Sequence, residues 1–126
     1  MTFNLSFTRK AEVTLLDLEK AKSKKGLLKQ VKKVLGFMQT NLRHPSLHTH
    51  KFEGFESPLG EVFESYAQND TPGAYRILWS SGPKKSEITI LIITPLPNSK
   101  QTIRDMRAVF EASPWFISSR ARLDTC

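Results

Sequence analysis

The sequence predicts an α+β domain in the order β–α–α–β–β–β, followed by a C-terminal helix, with two helices packed on a small, mainly antiparallel, twisted sheet. Three observations carry this. Apolar residues recur at helical spacing in two adjacent segments near the N-terminus. Strand-like runs gather in the middle of the chain, and the links between them are short and rich in turn residues, which makes neighbouring strands antiparallel. A length of 126 residues and 39% apolar composition suit one domain with a real core. Residues 1–97 form its main body, and 98–126 add a helix and tail.

The first element, "TFNLSFT", alternates, placing Phe3, Leu5 and Phe7 on one side of a strand. Thr8 is the N-cap expected for the helix that follows, although no Glu or Gln completes a capping box. That helix runs from Arg9 to about Ser23 on Ala11, Leu15 and Leu18. A second helix spans Gly26 to about Thr40, where Leu27, Leu28, Val31, Val34, Leu35 and Met38 form one stripe and Lys29, Lys32 and Lys33 lie elsewhere. The proline- and glycine-bearing stretch "NLRHPSLHTHKFEGFESPLG" reads as a loop with a short extended piece near His48 to Phe52. Strands follow at 61–67, 74–80 and 87–94. Ser99 then caps a helix carrying Ile103, Met106, Val109 and Phe110; beyond it Trp115, Phe116 and Ile117 are docking residues and "SSRARLDTC" frays.

Charge is distributed unevenly. The net charge is +7, but residues 1–51 hold eleven Lys/Arg against three acids, whereas residues 52–97 hold three against six. A pI of about 9.8 with basicity concentrated in this way suits a polyanion, since neutralised phosphates release counterions. The plainer reading is a solvated helix face. "ITILIITPLP", the longest apolar run, is about half the roughly 20 residues of a membrane helix and rich in β-branched residues, so it is a buried strand. No secretion signal is apparent, and a single cysteine, Cys126, fits a reducing, cytoplasmic setting.

Arg76 interrupts the otherwise apolar "GAYRILW". Alternation sets Tyr75, Ile77 and Trp79 on the face toward the helices and Ala74, Arg76 and Leu78 on the other. With Phe63 also toward the helices, Val62, Glu64 and Tyr66 share the arginine's face; "ITILIIT", apolar on both faces, leaves this assignment conditional. Two readings of Arg76 are open. It pairs with Glu64 as a structural salt bridge, or its planar guanidinium holds phosphate. His48 and His50, separated by one residue, point the same way on an extended segment, but with His44 they lack the further ligand a metal site needs. No phosphate-cradling loop, nucleophile elbow or suitably placed cysteine is present.

The succession "FNLSFT", "GLLKQVKKVLGFM", "HPSLHTHKFEG", "EVFESYAQN", "PGAYRILW" and "ITILIITPLP" resembles the RelE/ParE superfamily of bacterial toxin–antitoxin toxins over roughly residues 3 to 97. RelE-type members are ribosome-dependent mRNA endonucleases, whereas ParE-type members inhibit DNA gyrase. The resemblance implies a translation-inhibiting mRNA interferase with Arg76 at the scissile phosphate, Glu64 on the preceding strand as the general base, and Tyr66 beside it to stack on a nucleobase or donate a hydrogen bond. It implies RNA contacts from Lys24, Lys25, Lys29, Lys32 and Lys33, with His48, His50 and Lys51 in the adjoining loop. Its partners would be a cognate antitoxin, the ribosome and mRNA, with no cofactor, metal or membrane. The alternative is a non-enzymatic ParE-like gyrase inhibitor, or an inactive member that only binds antitoxin or RNA. One departure bears on this choice: where many of these nucleases carry His, Arg or Tyr after the last strand, this chain has Thr94, Pro95, Leu96, Pro97 and Asn98. Either the acid comes from elsewhere, such as His48 or His50, or the activity is weak or absent.

Overall fold

The first strand, β1 (Asn4–Thr8), buries Leu5 and Phe7 and hands the chain directly to helix α1 (Arg9–Lys20). Thr8 makes that junction: its hydroxyl accepts from the Ala11 amide at 3.1 Å and donates to the Leu91 carbonyl at 2.7 Å. The computed structural model describes residues 2–68, 74–82, 84–95, 99–111 and 116–117. Helix α1 ends three residues before the expected boundary, because Ala21 turns extended and Lys22–Lys24 form a 3-10 turn. Helix α2 (Lys25–Thr40) buries the predicted stripe at Val31, Val34, Leu35 and Met38.

The segment read as mostly loop is largely a strand, β2 (His50–Ser57), which forms an antiparallel hairpin with β3 (Gly60–Tyr66). Its pattern is weak because it is an edge strand with only Phe52 and Ser57 buried, so polar residues occupy most of its positions. Its ladder is irregular between Lys51 and Glu56, where Gly54 adopts φ 97°, a conformation that favours glycine.

Strands β4 (Tyr75–Ser81) and β5 (Glu87–Pro95) follow as expected, then helix α3 (Ser99–Glu111) and the two-residue strand β6 (Phe116–Ile117). The sheet order is β2-β3-β4-β5-β1-β6; β1 runs parallel to β5 and every other pairing is antiparallel. The backbone at Phe116 and Ile117 therefore docks on β1, while Trp115 and the last nine residues lie outside the described residues.

Apolar residues divide between two faces. Helices α1 and α2 cover Ile77, Trp79, Ile88, Ile90 and Ile93, with Phe63 and Tyr75 packed at the margin. Met106 and Val109 of α3 cover Phe52, Val62, Leu78, Leu91 and Ile92 on the opposite face. Strand β5 serves both because Leu78 pairs with Ile92 and Trp79 with Ile90, which leaves Leu91 as an extra residue. This bulge puts Leu91 and Ile92 together on the α3 face and explains an apolar run without alternation.

Candidate active site

The register fixes which side chains can meet. Tyr66 pairs with Arg76 and Glu64 with His50, so all four belong to the face shared by Val62 and Leu78. The conditional assignment of the arginine's face is thus realised. Arg76 also pairs with Thr94 on β5, which places it between two strands near one end of the sheet.

Glu64 is the hub. Its Oε2 accepts from Arg76 Nη1 at 2.7 Å, and its Oε1 lies 2.7 Å from His50 Nε2. The Glu64 side chain is only 7% exposed, against 20% for Arg76 and 49% for His50. A buried carboxylate is tolerated where hydrogen-bonding partners occupy both of its oxygens. The guanidinium carbon sits 4.6 Å from the Tyr66 ring centroid, so the charge is also held over an aromatic face. The rings of His48 and His50 each lie 5.8 Å from that of Tyr66. Arg76 Nε is buried with no hydrogen-bond partner among the described residues.

A polar chain behind the sheet holds His50 in place. Thr49 Oγ1 lies 2.8 Å from Ser65 Oγ, which accepts from Trp79 Nε1 at 2.9 Å. Thr49 is thereby pinned toward the α1/α2 face, and strand alternation delivers His50 to the opposite one. Leu47, fully buried, anchors the short 3-10 turn Pro45–Leu47 just before it. The role of this chain was not visible in sequence. The placement of His50 had a signal, its two-residue spacing from the buried Phe52.

The other predicted residues lie elsewhere. Lys24, Lys25, Lys29 and Lys33 are exposed on and beside α2, on the other side of the sheet from Arg76. Lys32 is partly buried and pairs with Glu19 at 3.8 Å. Lys51 pairs with Phe63 in the ladder and so shares its side rather than that of His50. His44 is stacked on Phe37 at 3.9 Å and bonded to Ser46, away from His50. Among the described residues, no group of three or more His, Cys, Asp or Glu side chains is arranged to hold a metal ion. Thr94 turns its hydroxyl to the Pro95 carbonyl at 3.2 Å; residues 96–98 lie outside the described residues.

No protein-family model matches this sequence, and no curated protein matches it. Two solved structures match the architecture. One is the archaeal RelE–RelB complex from Pyrococcus horikoshii OT3, with a TM-score of 0.56 and 16% identity over 79% of this chain and 100% of the matched chain. The other is the YoeB dimer from Staphylococcus aureus, with a TM-score of 0.53 and 14% identity over 77% and 100%. The chain has the RelE-type fold.

Within this RelE-type fold, α3 lies on the same face as Arg76, packed against β2 and β5. It covers Phe52, Val62 and Leu78, while the His50 side chain at the margin of the cluster is half-exposed. No helix among the described residues is long and apolar enough to cross a membrane.

Proposed function

We propose that this chain is the toxin of a toxin–antitoxin pair and acts as a ribosome-dependent mRNA endonuclease that inhibits translation. Both structural neighbours are RelE-superfamily toxins of type II systems, and one of them is held in a complex with RelB, which supports a cognate antitoxin as partner. The observation that carries the enzymatic reading is Arg76. On a central strand of this fold it presents a guanidinium beside Tyr66 and an imidazole at the rim of one sheet face.

RNA cleavage by its own 2′-hydroxyl needs in-line geometry and stabilisation of charge on the pentavalent phosphate. Arg76 supplies that charge, exchanging part of its bond to Glu64 for phosphate oxygens. Tyr66 offers a ring for a nucleobase or a hydroxyl for a hydrogen bond. The exposed lysines of α2 contact ribosomal RNA, and mRNA enters from the His48 and His50 side, in the cytoplasm where ribosomes work. Lys51 serves the same RNA surface.

Primer extension on translated mRNA tests this reading, run with wild type and Arg76→Ala beside a gyrase supercoiling assay. Codon-dependent cuts that disappear in the variant are expected. Supercoiling inhibition without cuts would instead identify a ParE-like inhibitor, and neither effect would leave a protein that only binds.

A further inference from the structure

We propose that His50 is the proton donor to the leaving 5′-oxygen, held as an imidazolium by Glu64, so that the carboxylate positions the acid instead of serving as the base. This inference rests on the ribonuclease reading.

Hydrogen bonding carries the argument. His50 Nε2 lies 2.7 Å from Glu64 Oε1, and Nδ1 lies 3.0 Å from the carbonyl oxygen of His48. A carbonyl oxygen only accepts, as does an ionised carboxylate, so both ring nitrogens must carry hydrogen. Only the imidazolium satisfies both contacts. The other oxygen of Glu64 accepts from the permanently charged Arg76 at 2.7 Å, in a salt bridge. Among the described residues, the groups that face His50 are Glu64 and Tyr66 from β3, with Arg76 behind Glu64 from β4 and His48 just before it in the chain. His48 has φ 48°, a left-handed conformation uncommon outside glycine. This conformation caps the 3-10 turn Pro45–Leu47, with the His48 amide donating to the Pro45 carbonyl.

The two bonds of the ring are unequal in access. Nε2 is tied to a side chain that is 7% exposed, while Nδ1 meets the carbonyl of an exposed residue at the rim. Glu64 therefore fixes the ring as an orienting carboxylate does in a catalytic triad. Nδ1 leaves the His48 carbonyl to reach substrate. In the step itself, the 2′-oxygen forms a bond to phosphorus while the bond from phosphorus to the 5′-oxygen breaks. The 2′-hydroxyl proton passes to solvent water, and His50 Nδ1 gives its proton to the departing 5′-oxygen. The products are a 2′,3′-cyclic phosphate and a 5′-hydroxyl, and the neutral imidazole regains a proton from solvent.

The test uses the full chain, programmed ribosomes and two synthetic mRNAs, one normal and one with sulfur replacing the 5′-bridging oxygen at the mapped cut. A thiolate leaves without protonation. His50→Gln is expected to slow cleavage of the normal message by about 100-fold or more, and of the sulfur message by about threefold at most. Equal losses on both would overturn the proposal, since misfolding or lost binding affects both substrates alike. A second readout is independent of activity: nitrogen NMR of histidine-labelled protein at neutral pH should show both His50 ring nitrogens protonated, and a neutral tautomer there would also overturn it. Should wild type cut neither message, the ribonuclease reading falls and the acid role with it.

Discussion

Glu64 is the residue whose environment most constrains the molecule. With its carboxylate almost fully buried and shared between Arg76 and His50, removal of the arginine leaves one of its two oxygens without its partner in the sheet. Arg76→Ala should therefore lower stability by about 3 kcal/mol in urea unfolding, whereas Arg76→Met with Glu64→Leu should lose much less, because no charge is then stranded. A smaller change at Arg76→Ala than at an exposed control arginine would contradict the burial argument. Thr8 is a second sensitive position. Its hydroxyl both caps α1 and satisfies the carbonyl of the bulged Leu91, so Thr8→Ala should cost about 2 kcal/mol, read as a depressed melting temperature. The cap was legible as a residue type before a helix. Its second bond was not, because the partner is 83 positions away.

At the level of elements, α2 starts against its own dipole. Lys24 and Lys25 stand at its N-terminus, where anions are favoured, and no side chain caps it. Lys25→Glu should stabilise the protein by about 0.5 kcal/mol while weakening RNA binding; a variant that gains stability with no loss of binding would remove this helix end from the RNA surface. Strand β2 shows the opposite tension. Gly54 has φ 97° with Ile103 Cδ1 of α3 at 3.2 Å from where a Cβ would stand. Gly54→Ala is thus expected to destabilise by about 1–2 kcal/mol, measured by thermal melting, with Ile103→Val recovering only the contact part. The helices and the three central strands were legible because their apolar periodicity reflects burial on one side. Strand β2 was not, because an edge strand with one exposed side and a bulge writes almost no pattern.

Across the whole molecule, charge and site sit on opposite sides of one sheet. An RNA that engages both must pass around an edge or an end of the sheet, so affinity should depend on salt through the α2 lysines and cleavage through the Arg76 cluster. Replacing Lys25, Lys29 and Lys33 by alanine is predicted to reduce the slope of log affinity against log salt by about two for single-stranded RNA, followed by fluorescence anisotropy. An unchanged slope would place the RNA away from α2.

The sequence by itself determined the helices, the central strands, the basic N-terminal third and that Arg76 lies opposite Tyr75, Ile77 and Trp79, since each follows from local spacing of side chains. Only the tertiary structure decided that Glu64 is held from both sides, that His50 faces it with both ring nitrogens engaged, and that α3 covers part of the same face. Those contacts join residues from separate strands and depend on register, which a single strand does not encode. The bulge at Leu91 shows the same reason at its simplest: one unpaired residue lets an apolar run serve two cores, and only its pairing with β4 reveals it.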